Sequence, residues 1–214
     1  MTSPTPAQRQ RDLGQALDIT AHHHRSLADP WDREVQEWSV TAVAVHLDSI
    51  GEETPPQPVC RLELVKVSLG HPDQAELMDA HSQQLDWVRD ALLDDDGELR
   101  EDRLNVDALI GGTAILVVTN VEVEPAYSSL DVDQLLILEA ISLLGAGCYL
   151  AAAVTIDTPG LPQSVESLDN SRTRRSWRQM GFEPVTDHVM VIYLAMTTLE
   201  EHLHRLRTDW GLLS

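Results

Sequence analysis

The stretch from Thr113 to Ile156, TAILVVTNVEVEPAYSSLDVDQLLILEAISLLGAGCYLAAAVTI, constrains the fold more than any other part of the chain. Thr113 to Val123 is rich in β-branched residues and reads as a strand. Val132 to Leu144 is apolar on nearly every side, as expected of a helix lying between a sheet and a further layer. Gly145 and Gly147 close that helix. Cys148 to Ile156 is a near-continuous apolar run, typical of a strand covered on both faces. A strand, a helix and a strand with short connections form a right-handed parallel crossover. The ligand crevice of such a unit lies beyond the carboxyl ends of its strands. The turn between Pro125 and Gln134 therefore sits where a phosphate-bearing ligand would arrive.

The rest of the chain supplies strands and helices around this unit. Met1 to about Gln10 is a polar tail, and Gln8 to Leu27 has mild helical character. Residues 1–30 are therefore expected to be a tail with a short helix, and 31–214 a single domain. His22, His23 and His24 would point in three directions on a helix and could not converge on one metal. Glu37 to Asp48 reads as a strand that ends at the Pro-rich loop Thr54 to Pro58. Arg61 to Leu69 alternates polar and apolar residues and should pair with it antiparallel.

A long helix follows, with Pro72 in its first turn and Met78, Leu85, Val88 and Leu92 as its apolar stripe. Asp94 to Gly97 ends it. That run lacks the alternating ligand spacing and distal Glu of a calcium loop and reads as a solvated loop. Beyond the central unit, a short helix spans about Ser171 to Met180 with Asn170 as its N-cap. His188 to Met196 reads as a last strand. A C-terminal amphipathic helix starts at Thr198 and Glu201 in capping-box spacing, with Leu199, Leu203, Leu206 and Trp210 on one stripe.

Composition narrows the partners. Thirty-five acidic against fifteen basic residues give a formal charge of -20, which repels nucleic-acid backbones and anionic membranes. Cys60 and Cys148 lie in apolar runs, which favours buried free thiols over a disulfide or a metal pair and suits a reducing cytoplasm. Leu135 to Ile156 approaches membrane-spanning length, but Glu139, Gly145 and Gly147 interrupt it. No signal-peptide pattern opens the chain. The expectation is a soluble cytoplasmic protein that uses no nucleic acid, membrane or metal.

Val123-Glu124-Pro125-Ala126-Tyr127 resembles the end of the fourth strand in the GNAT superfamily, the acyl-CoA-dependent N-acyltransferases. Trp177-Arg178-Gln179-Met180-Gly181-Phe182 is similar to that family's late helix ending in Gly-Phe. The resemblance spans roughly Glu37 to Met196. It implies an α/β (α+β) fold: a mixed, mostly antiparallel twisted sheet, with one parallel splayed strand pair and helices on both faces. It also implies a cofactor turn of pattern Arg/Gln-x-x-Gly-x-Gly/Ala, which cradles the pyrophosphate of coenzyme A on backbone N–H groups.

Matched to that pattern, the Arg position falls on Ser128 and the two Gly positions on Asp131 and Asp133. The cofactor positions implied are Val121, Val123, Ser128, Ser129, Leu130, Asp131, Val132, Asp133 and Asn170. A cation is lost and two anions are gained, and a unit charge at about 4 Å acts with roughly 4 kcal/mol at intermediate dielectric. The same residues suit a helix that caps itself. Asp131 stands three positions before Gln134, as in a capping box, and Asp133 in the first turn complements the dipole. In the other arrangement the aspartates swing outward and coenzyme A binds in a shifted pose.

The family's late helix often carries a tyrosine that protonates the leaving thiolate. Trp177 holds that place here and is no practical acid at neutral pH, which leaves Tyr127 and Tyr193 as substitutes. Glu122 and Glu124 are the general-base candidates. Arg172, Arg174, Arg175 and Arg178 concentrate basic charge in one short helix, either as an anion or partner contact or paired with Glu166 and Asp169. The resemblance thus implies a non-catalytic member that binds a protein partner or its own copy and needs no cofactor. Its alternative is an acetyl-CoA-dependent N-acetyltransferase of a cationic amine. In a third reading the groove holds another small molecule without chemistry.

Overall fold

The computed structural model describes residues 16–24, 34–45, 54–109, 111–155 and 174–213, together with Thr5, Gln8, Gln10, Asp12 and Leu13. Seven strands form one sheet in the order β1-β2-β3-β4-β5-β7-β6. They are β1 (Leu17–His24), β2 (Val35–Ala44), β3 (Gln57–Ser68), β4 (Ala114–Val123), β5 (Cys148–Val154), β6 (Glu183–Pro184) and β7 (Val189–Tyr193). Every neighbouring pair is antiparallel except β4 and β5. Helices α1 (Gln74–His81), α2 (Gln83–Leu92), α3 (Val132–Leu144) and α5 (Thr198–Asp209) cover the two faces, and residues 174–179 are helical as α4. This is the mixed, mostly antiparallel architecture with one parallel pair that the sequence leads one to expect.

The apolar pattern explains the layering. Leu62, Leu116, Ala151 and Ile192 turn to one face, where α3 and α5 bury Leu136, Ile141, Leu203 and Trp210 against them. Val67, Val117, Ala152 and Val191 turn to the other, beneath Met78, Leu85, Val88 and Leu92 of α1 and α2. β5 lies between both cores, so its two faces are equally apolar. Gly112 is needed at the entrance to β4, because a Cβ there would stand 2.4 Å from the backbone N of Tyr149. Both cysteines are free and buried.

Several expectations change. The segment expected to be helical around His22 is strand β1, laddered to β2 from Leu17–Ala44 to His24–Glu37, so the sheet begins before residue 31. Ile19 and Thr20 favour the extended chain, and pairing outweighs the weak helical pattern. The expected single helix after Pro72 is two, broken at Ser82, whose extended backbone and hydroxyl cap α2 by accepting from Leu85 N at 3.3 Å. Pro72 precedes α1 instead of sitting in its first turn. The Thr198–Glu201 capping box does not form, because the N-cap is Thr197, in helical geometry and without a side-chain cap. Asn170, Arg172 and the expected strand end at Ile156 lie outside the described residues.

A bulge shapes the centre of the sheet. The register of β4 on β3 moves from Glu63–Asn120 to Leu64–Val118, which leaves Thr119 as the extra residue. The parallel ladder from β4 to β5 runs only from Ala114–Cys148 to Val118–Ala153. Beyond it, Thr119 to Val123 has β3 on one side and, among the described residues, no strand on the other. A bulge bends and twists its strand, so the pair parts where Thr119 is inserted.

Candidate functional site

The carboxyl end of β4 leads through a short 3-10 turn, Pro125–Tyr127, to the first turn of α3. Ser128 Oγ donates to Pro125 O at 3.0 Å, Tyr127 packs on the main core, and Leu130 is buried. Leu130 O accepts from Gln10 Nε2 at 2.9 Å, which ties the N-terminal region to this loop. Val132 is buried, Ser129 is exposed, and Val121 and Val123 pack on the core. The positions expected to form one turn are therefore contiguous around the amino end of α3.

The expected capping box is overturned. Asp131 precedes α3 in the left-handed region, φ 52° and ψ 32°, and its side chain caps nothing. It is the one non-glycine residue with positive φ among those described. Asp is among the few residues that tolerate this conformation, which glycine takes freely. The carboxylate is exposed, so the backbone bend of a glycine persists with an acid attached to it.

Asp133 turns inward instead. Burial raises its carboxyl above the ordinary range and the nearby Asp131 charge adds to this, while hydrogen bonds from the backbone N–H groups of Gln134 and of Asp133 itself pull the other way. Its charge also reaches Cys60 on β3, whose thiol is pushed up to about 12 by burial first and by Asp133 second. The first N–H groups of α3 thus already face a carboxylate belonging to the helix itself. An anion arriving here would meet one half-buried and one exposed carboxylate, with Ser128, Asp131 and Asp133 in place of arginine and glycine.

Next to this end, α3 and α4 are joined by Gln134 Nε2, which donates to Ser176 Oγ at 3.3 Å. Trp177 is buried edge-on to Phe182, with ring centroids 4.8 Å apart, and Phe182 N donates to Trp177 O at 3.0 Å. The Gly-Phe segment is thus a packing element. Arg174 donates to Asp187 O and lies 3.6 Å from its carboxylate, while Arg175 and Arg178 are exposed on α4. Arg174 therefore pairs with Asp187; the acids expected, Glu166 and Asp169, lie outside the described residues. Glu122 is exposed and accepts from Asn120 Nδ2 at 3.2 Å; Glu124 is also exposed. Tyr193 is buried, with its hydroxyl accepting from Asn105 N at 2.9 Å, so it is committed to the second core.

Sequence reasoning did not foresee a cleft of about 530 Å³ on the other face of the sheet. Glu37, Ser39, Arg61, Glu63, His81 and Thr119 line it, from β2, β3, the α1–α2 junction and the bulge. His81 Nε2 lies 3.2 Å from Glu37 Oε1, and Arg61 lies 3.1 Å from Glu63. Thr119 Oγ1 donates to Glu63 O at 3.2 Å, which holds the bulge against β3. Alternation in β3 already marked Arg61 and Glu63 as a polar face; the bulge that brings Thr119 beside them has no sequence signature. A larger hollow of about 770 Å³ lies at the opposite end, by Gly70 and Tyr149. Asp94 there accepts from the backbone of Asp96 and Glu98, the solvated loop expected of that run.

Among the described residues no group of His, Cys, Asp and Glu is arranged to hold a metal ion, and no helix is long and apolar enough to cross a membrane. No family model matches the chain, and no curated protein matches it significantly.

Proposed function

We propose that this chain is a GNAT-like protein that has given up acetyl transfer and acts by binding a protein partner or its own copy. One observation carries the reading: the amino end of α3, where the family resemblance locates pyrophosphate, faces the half-buried carboxylate of Asp133. Asp131 adds a second carboxylate at the same bend, and Ser128 stands where the resemblance implies an arginine. Residues of this kind do not suit coenzyme A, and no chemical step is assigned to it. Thermal unfolding tests the reading. A ligand present at a hundredfold its Kd stabilises by about 2.7 kcal/mol, so millimolar acetyl-CoA should leave the midpoint unmoved; a rise of several degrees would overturn the proposal.

A second reading has its own observation. Asp131 keeps the glycine-type bend with its side chain outward, and the acidic cleft at Glu37 and Glu63 opens beside the point where β4 and β5 part. An N-acetyltransferase of a cationic amine would use these features, with the ammonium held by those carboxylates. Turnover of acetyl-CoA in the presence of a polyamine or lysine-containing peptide would favour this reading. Loss of that turnover in Glu63→Gln would tie it to the cleft.

A further inference from the structure

β1 is the outer strand of the sheet, and among the described residues nothing pairs with its free edge. It runs for eight residues, LDITAHHH, without proline, lysine, arginine or a bulge in its register with β2. Those are the devices by which edge strands avoid pairing with other chains. Its side chains form two rows, because successive residues face opposite ways. Leu17, Ile19, Ala21 and His23 share the face of the main core: Leu17 and Ala21 pack against it, and His23 stacks on Trp38 at 4.7 Å. Ile19 stands 37% exposed in that row. Asp18, Thr20, His22 and His24 form the other row, all exposed.

We propose that β1 is the interface for a second copy of this chain, joined antiparallel, edge to edge, so that the sheet continues across a two-fold axis normal to it. Opposed residues in such a pair share a face, so the axis must pass through a residue. The two registers with most overlap put it on Ala21 or on Thr20. With the axis on Ala21, Asp18 opposes His24, Ile19 opposes His23 and Thr20 opposes His22 of the second copy. With the axis on Thr20, Asp18 opposes His22, Leu17 opposes His23 and Ile19 opposes Ala21. Either register puts a carboxylate against an imidazole that can donate to it, and brings a side chain of the second copy over Ile19.

The reason lies in the order of the residues. The strand's one acid is at its start and its histidines are at its end, so it is complementary to itself reversed. A formal charge of -20 on each chain opposes association in general and favours a contact where like charges do not meet. The inference gives the binding reading a surface and a partner and rests on that reading only for its role. Association is measured without cofactor, so either can fail while the other stands.

Sedimentation equilibrium of the full chain over micromolar to submillimolar concentration tests it. The expected mass rises to twice 23.8 kDa, and Ile19→Lys, which sets a charge on the edge, returns it to the monomer with unchanged circular dichroism. Two cysteine variants locate the contact independently, should that lysine disturb folding. The variant on the axis, Ala21→Cys or Thr20→Cys, forms an intermolecular disulfide on mild oxidation, because opposed Cα atoms lie about 4.5–5.5 Å apart; the other does not. The native thiols are buried and serve as the background. A mass of 23.8 kDa at every concentration overturns the proposal. So does a dimer that neither cysteine links.

Discussion

The carboxylate of Asp133 bears on the thiol of Cys60 beneath the first turn of α3, adding to burial in holding that thiol near 12. A charge carried this far inward is held by two backbone N–H groups of the helix start, yet its carboxyl remains raised. Burial therefore outweighs those contacts. The helix end is filled at a net cost to the charged form.

That balance fixes a pH dependence. With the folded carboxyl titrating above the unfolded one, the folded chain binds more protons in the window between them, so stability falls as pH rises through it. The contribution is fully present below the unfolded value, near 4, and lost once pH passes the folded value. Asp133→Asn should therefore be more stable than the native chain at pH 7. The advantage should shrink as pH falls to about 4, near the unfolded carboxyl's ordinary range, as read by urea unfolding at each pH.

Asp131 should behave as a strained bend and not as a cap. Asp131→Gly is expected to match or exceed the native stability, since glycine takes φ 52° without penalty. Asp131→Ala should lose about 1 kcal/mol, because a left-handed Cβ is disfavoured on that scale. If Asp131→Gly were the less stable of the two in urea, its carboxylate would be making a contact this account does not give it.

Ser82 separates α1 from α2 by capping the second helix through its hydroxyl. Ser82→Ala should cost about 1 kcal/mol and Ser82→Gly only a few tenths. Calorimetric melting of the two variants should show that order.

Arg207 on α5 meets Glu139 on α3 through two hydrogen bonds of 2.6 Å, Nε to Oε1 and NH2 to Oε2. The Arg207 side chain is 37% exposed, so solvent screens the pair. A double-mutant cycle of Arg207→Ala and Glu139→Ala should give a coupling of about 0.5–1 kcal/mol. Raising the salt to about 1 M, where the Debye length is near 3 Å, should reduce it.

What could be read from the sequence follows from which forces are local. Val132 to Leu144 is apolar all round and bounded by turn residues, so α3 keeps the bounds expected of it. Met78, Leu85, Val88 and Leu92 are all buried, although the helix bearing them is broken at Ser82. A serine between two helical patterns looks like any polar surface residue until the backbone turns at it. β1 escaped notice because Leu17, Ile19 and Ala21 give a weak alternation, and its pairing with β2 is a long-range contact that no local pattern encodes. At the turn, the spacing of Asp131 and Gln134 pointed to a cap, and the left-handed bend of Asp131 took that role away. The inward carboxylate is its neighbour's, two residues on. The open cleft depends on the inserted Thr119, a displacement of register that composition cannot signal.

Whether the amino end of α3 excludes the cofactor can be measured by isothermal titration with acetyl-CoA, run on the native chain and on Asp131→Gly/Asp133→Gly. The native chain should show no measurable binding, and the double variant should gain it, since its bend keeps its shape and loses both charges. A micromolar Kd for the native chain, unchanged or weakened in the variant, would contradict that exclusion.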